Sequence, residues 1–171
     1  MSILLIGKRA KILNDVAGRL RSLGHQVILT NDLDMAHLTS IDVTPINAVV
    51  FGRALTAEQK TALTKLYRQA NPSLSFIEGW APIPELITSQ ILSSTDPILG
   101  IESKGTVVTA HADVDVNVKR YKINWLYQVK SSESTVRLKA GVPTDIADAA
   151  RGFQYFALED KGRYITLKRD A

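Results

Sequence analysis

The feature that most constrains this chain is a change of hydrophobic period near residue 103. Before it, short continuous apolar runs alternate with stretches of helical spacing. Ile3 to Ile6, ending at Gly7, and Gln26 to Thr30, around Val27, Ile28 and Leu29, read as buried strands. Ala48 to Phe51, ending at Gly52, and Leu74 to Ile77, ending near Gly79, read as a third and a fourth strand. Between the first two, Ile12, Leu13, Val16, Ala17, Leu20 and Leu23 recur at helical spacing, and Gly24 stands where a helix C-cap glycine belongs. Asp32 or Asp34 suits the cap of a short helix through Met35 and Leu38. Thr56 and Gln59 form a capping-box pattern ahead of Ala62, Leu63, Leu66, Tyr67 and Ala70, and Asn71-Pro72 stops that helix. Pro82 and Pro84 suit the start of a last helix carried on by Leu86, Ile87 and Ile91. Ile98 to Ile101 reads either as a fifth strand or as the connector onward.

After residue 103 the pattern changes. Val108, Ala110, Ala112, Val114, Val116 and Val118 alternate with other residues, and so do Ile123, Trp125, Tyr127 and Val129, then Val136 and Leu138, then Ile165 and Leu167. Period-two alternation marks half-buried antiparallel strands. If a turn lies near Lys119-Arg120, Asn117 faces Lys122 and Asp115 faces Asn124; one short helix is placed between Thr144 and Gly152. The expected architecture is therefore α/β: a three-layer open parallel sheet over residues 1–102, followed by a small antiparallel β-rich module of about five strands over 103–171.

Composition narrows the setting. The chain of 171 residues is 45% hydrophobic and 22% charged, an ordinary globular balance. It has no cysteine, which removes thiolate chemistry and disulfide scaffolding and suits a reducing, cytoplasmic compartment. The apolar start precedes Lys8 and Arg9, the reverse of an export signal, and no run is long enough for a membrane span. The net charge of +4 permits an anionic partner without demanding one.

The segments "RSLGHQVILTNDLD" and "LYRQANPSLSFI", with the order of strands and helices, give the first part its character. It resembles the receiver domain of bacterial response regulators over about 100 residues. The resemblance implies an acidic pair after the first strand, an acceptor aspartate at the end of the third, a Ser or Thr after the fourth and a lysine after the fifth. Here Gly7 and Lys8, Gly52 and Gly79 stand at the first three, and Lys104 is a loose match for the last. A receiver with these residues is a pseudo-receiver, with no magnesium site and no phospho-acceptor. The dinucleotide fingerprint G-x-G-x-x-G is also missing: Lys8, Arg9, Ala10, Lys11 and Ile12 follow Gly7, so no nicotinamide or flavin cofactor is expected.

Three constellations are candidates for function. The first is the crevice at the carboxyl ends of the parallel strands, where open α/β sheets bind ligands. Gly7, Lys8, Arg9, Gly52, Arg53, Gly79 and Trp80 would line it; the plainer reading is strand-ending glycines beside solvated bases. The second is His111, Asp113 and Asp115, which share a face if they lie on one strand. Three ligands in a straight row seldom converge on one ion, so cross-strand polar pairs are expected and a metal is not. The third is a basic face of the β module. Lys122, Lys130, Arg137, Lys139, Arg163 and Arg169 are placed opposite the apolar set, diluted by Asp113, Asp115 and Glu133.

No nucleophile elbow, P-loop or acid–base carboxylate pair is present in the sequence. The reading placed first is a non-enzymatic regulatory or protein-interaction protein, with a possible homodimer through an exposed sheet edge. The alternative is a binding protein or enzyme that takes a small anionic, nucleotide-like ligand in the crevice. The third is a nucleic-acid binder through the basic face.

Overall fold

The structure is a computed structural model that describes residues 1–124, 128–147 and 152–169. Its contacts divide the chain into two compact units, Met1–Ile91 and Leu92–Ala171. Residues 92–102 thus group with the second unit.

The first unit carries β1 (Ser2–Ile6), α1 (Ala10–Ser22), β2 (Gln26–Thr30), α2 (Met35–Thr39), β3 (Ala48–Phe51), α3 (Ala57–Ala70), β4 (Ser75–Glu78) and the greater part of α4 (Pro84–Thr95). The four strands form one parallel sheet in the order β2-β1-β3-β4. Ile3, Leu4, Leu5 and Ile6 of β1 are all at most 1% exposed, and Ala48 to Phe51 of β3 are all buried. These central strands are covered on both faces, which is why their sequences show no alternation. β2 and β4 are edges, so their apolar runs are only partly covered. Val27 is buried but Ile28 is 47% exposed, contrary to the reading of Gln26 to Thr30 as a buried strand.

The helices follow from local chemistry. In α1, Leu13, Val16, Ala17 and Leu20 form one buried stripe. The helix stops in a Schellman turn: Gly24 N donates to Arg21 O and His25 N to Leu20 O, while Gly24 sits at φ +83. Asp34 caps α2 through the amides of Ala36 and His37. Thr56 and Gln59 close a reciprocal capping box at α3. At its far end Asn71 donates to the carbonyls of Val43, Thr44 and Ile46, tying the loop before β3 to the end of α3. Leu4, Ile6, Val49 and Phe51 share a core with Leu38 of α2 and Leu63 and Tyr67 of α3. Arg19 of α1 meets Glu85 of α4 at 2.9 Å.

The second unit holds β5 (Ile101–Lys104), β6 (Val107–Ala110), β7 (Val114–Ile123), β8 (Val129–Leu138), β9 (Thr144–Asp145), β10 (Tyr155–Asp160) and β11 (Arg163–Lys168). Among the described residues seven strands stand where about five were expected. They form two antiparallel sheets, β11-β10-β7-β8 and β5-β6-β9. Val116, Val118, Leu138, Phe156, Leu158, Ile165 and Leu167 face a core completed by Ile98, Val108, Ala110, Ile146 and Ala147.

Three local expectations are corrected here. Ile98–Ile101 is not a fifth parallel strand: Ile98 enters the second core, and β5 makes a hairpin with β6 that closes at Gly105, φ +62. Short local closure costs little chain entropy. No turn lies at Lys119-Arg120; β7 runs through it, and ten residues pair with β8 from Val114↔Leu138 to Ile123↔Val129. Thr144 and Asp145 form a two-residue strand, followed by a turn at Ile146 and Ala147, where a helix was expected to start. The rest of that stretch, 148–151, lies outside the described residues, as do Trp125 and Tyr127.

Candidate functional site

The carboxyl edge of the parallel sheet is built by its strands each stepping one residue past their ends. Gly7 N donates to Thr30 O (3.1 Å), Gly52 N to Ile6 O (2.7 Å) and Gly79 N to Phe51 O (3.0 Å). The three glycines therefore sit at the ends of adjacent strands. Since β1 lies between β2 and β3, the switch point of the sheet falls between Gly7 and Gly52.

That position is tightly packed. A Cβ at Gly52 would lie 3.0 Å from Ile6 O and 3.1 Å from Gly7 Cα. Its side-chain direction points at the neighbouring backbone, which would have to give by a few tenths of an ångström to admit a Cβ. Gly7 and Gly79 are less constrained: the closest atoms to an added Cβ are Leu13 Cδ2 at 3.4 Å and Ile87 Cγ1 at 3.7 Å.

Around this edge Lys8, Arg9 and Arg53 are exposed. Trp80 is half-buried, and its amide donates to Gln90 Oε1 while Gln90 Nε2 donates to Glu78 O. The buried Gln90 thus fixes the turn after β4 to α4. Lys60, in the first turns of α3, reaches Glu78 at 3.3 Å, with its side chain 19% exposed. Nothing in the local sequence announces this ion pair, because only the β3–α3–β4 crossover brings the two together. The acids after β2 are occupied in turns: Asp32 accepts from Asp34 N, and Asp34 caps α2. Thr30 Oγ1 is 3.1 Å from His37 Nε2.

In the second unit, His111, Asp113 and Asp115 do not form a row. His111 precedes β7 and pairs with Glu102 across the β5–β6 hairpin at 3.1 Å, a neighbour invisible in the sequence. Arg137 bridges Asp115 (3.0 Å) and Asp113 (3.4 Å), and Asp113 also accepts from Ala140 N. The Ala140 amide, with a further contribution from Arg137, holds the Asp113 carboxyl below its ordinary value. Among the described residues no group of three or more His, Cys, Asp or Glu side chains is placed to hold a metal.

The six bases do not share one face. Residues directly opposite in an antiparallel pair lie on the same side of the sheet. Lys122↔Lys130 falls on the side of Val116 and Val118, whereas Asp115↔Arg137 falls on the other. Lys139 lies just past β8 on the alternation of Arg137. Arg163 and Arg169 keep the alternation of Ile165 and Leu167, and both are engaged. Arg163 pairs with Asp96 at 3.4 Å, and Arg169 donates to Ala147 O with its guanidinium over the Phe156 ring. The cause is a change of side by the apolar residues along the β7–β8 hairpin. At its base they are Val116, Val118, Val136 and Leu138; toward its tip they are Tyr121, Ile123 and Val129, on the opposite face. The face bearing Arg137 is charge-balanced, with Lys119 near Glu133 at 3.9 Å and Thr135 bonded to Asn117, which reaches Glu159.

No helix among the described residues is long and apolar enough to cross a membrane. Comparison with family models, with curated proteins and with solved structures found no match.

Proposed function

We propose that this chain is a non-enzymatic regulatory protein that works by binding other protein surfaces. Its first unit would be a receiver-like layer without a phospho-acceptor, and its cysteine-free composition suits the cytoplasm. The strand order β2-β1-β3-β4 matches the first four strands of the flavodoxin-like order. The observation that carries the reading is the closure at Gly52. A receiver places its acceptor carboxylate at the end of the third strand, and here a side chain would run into Ile6 O and Gly7 Cα. The acids nearest in sequence after β2 are engaged in backbone turns.

The test is phosphoryl transfer. The full chain is incubated with acetyl phosphate and Mg²⁺, and separately with beryllofluoride, and followed by intact mass and thermal unfolding. No added mass and an unmoved transition are expected. A stable acyl phosphate on any residue of the first unit would overturn the reading.

The exposed Lys8 and Arg53 at the same edge favour a second reading, an anionic ligand held by these bases. It expects a dose-dependent rise in melting temperature with a nucleotide, abolished in Lys8→Ala and Arg53→Ala. A transition that stays put across nucleotides and phosphorylated metabolites counts against it.

A further inference from the structure

We infer that β8 is the self-association edge of this protein, pairing antiparallel with β8 of a second copy about a two-fold axis at Thr135. This rests on the reading of the chain as a protein-binding module and specifies the partner. β8 ends the order β11-β10-β7-β8, and among the described residues no strand covers its outer side. Residues 129–135 are all exposed. A ten-residue strand is a long edge to leave open, and short or blocked edges are the usual protection.

The direction of the backbone groups fixes which residues can pair. Asn124 N donates to Gln128 O at 3.1 Å. In the register of the hairpin these two are opposite, so the main-chain bonds between β7 and β8 fall at the even positions, such as Lys122↔Lys130 and Val118↔Ser134. The amides and carbonyls of Ser131, Glu133, Thr135 and Arg137 consequently point outward from β8. The opposite side of β7 agrees: Tyr121 O, at an odd position, accepts from Gln154 N, beside β10.

Charge selects the register among these positions. Centred on Thr135, the pairing sets Glu133 of each copy opposite Arg137 of the other, and Thr135 opposite Thr135. Centred on Glu133 it would set like charges face to face, which destabilises a sheet. The favoured register also continues the rows already present within one copy, where Asp115 faces Arg137 and Lys119 faces Glu133. Across four strands the charges then alternate in sign: Asp115, Arg137, then Glu133 and Lys119 of the second copy. The central row is Asn117, Thr135, Thr135, Asn117, extending the existing Thr135–Asn117 hydrogen bond. The two sheets would join into one of eight strands.

The chain has no cysteine, so a single introduced thiol reports the register directly. In a hydrogen-bonded antiparallel pair the opposed Cα atoms are about 5.5 Å apart, within the roughly 4.4–6.8 Å a disulfide spans. Full-length Thr135→Cys, Ser131→Cys and Glu133→Cys are oxidised side by side, and the native chain is sized by light scattering. The expected result is a native mass twice the 18.8 kDa chain and crosslinking fastest at position 135. Thr135→Pro should halve the native mass while its circular dichroism stays that of the native chain. The Thr135 amide is not used by β7, and proline is tolerated at an outward edge position.

A native chain that stays monomeric at its highest soluble concentration overturns the inference and leaves the edge to a strand of another protein. Dimers that persist in Thr135→Pro, or crosslinking no faster at 135 than at 131 and 133, overturn it as well. None of these outcomes touches the non-enzymatic reading, which phosphoryl transfer decides separately.

Discussion

Replacing Gly52 with alanine separates a glycine kept for packing from one kept as space for a ligand. The added Cβ would stand 3.0 Å from Ile6 O and 3.1 Å from Gly7 Cα. Both obstacles are backbone of the central strand β1, whose residues are at most half-exposed at Ser2 and buried thereafter. They cannot rotate away as a side-chain tip would. Relief requires β1 and β3 to separate at their ends, loosening the bond from Gly52 N to Ile6 O, now 2.7 Å. Overpacking of this kind costs about 1–3 kcal/mol. In a unit of about 90 residues each kcal/mol lowers the melting temperature by about 4–8 °C. Gly79→Ala is the control: its Cβ meets nothing closer than 3.7 Å, and its stability should stay within about 0.5 kcal/mol of native. Urea unfolding in a Trp125→Phe background, followed by Trp80 fluorescence, reads the first unit directly. Equal stabilities for Gly52→Ala and Gly79→Ala would refute the packing argument and return Gly52 to the candidates for ligand contact.

Other perturbations test the frame around this edge. Gly18 lies in α1 with nothing within 4 Å of an added Cβ, so Gly18→Ala should stabilise by about 0.5–1 kcal/mol in urea unfolding. Tyr67→Phe removes the bond from the buried hydroxyl to Leu38 O, 2.6 Å, and should cost about 1–3 kcal/mol by the same measurement. Burial pushes the Tyr67 hydroxyl up from 10.0 to about 12. Because the folded value lies above the unfolded one, its contribution is whole below pH 10 and is lost as pH rises through about 12. Melting curves across that window should show the decline in the native chain and a shallower one in Tyr67→Phe. Tyr164 keeps its own decline, since burial and then Glu159 raise it too. Asn71→Ala removes the donor to three carbonyls at the end of α3 and should lower stability by about 1–3 kcal/mol, seen as a lower urea midpoint.

What the sequence disclosed depended on how local the cause was. The C-cap glycine at Gly24, an acidic cap at Asp32 or Asp34 and the Thr56–Gln59 capping box are written within a few residues, and each was legible. The edge position of β2 was not, because Val27, Ile28 and Leu29 look alike and only the strand order exposes Ile28. The false turn at Lys119-Arg120 has a similar origin. Arg120 stands on the core-facing side of β7 but beyond the end of the core, where it reaches Ser134 instead. A polar residue there breaks the alternation without breaking the strand. β8 carries Ser131 to Thr135 with no apolar period at all, and it is a strand because β7 supplies its ladder. Of the candidate site residues, the three glycines stand at the ends of neighbouring strands. The ion pairs of Lys60, His111 and Arg137 needed partners from other elements.

The place of β1 bears on how the chain is made. Of the four strands in this sheet, the one synthesised earliest ends up in its interior, between a partner at residues 26–30 and another at 48–51. Until both have emerged, Ile3 to Ile6 is a bare apolar segment with open edges, the kind of segment that pairs with its own copies. Polypeptides ending before Phe51 should therefore clump during translation and need chaperone cover, whereas those reaching past β3 have the means to shield themselves.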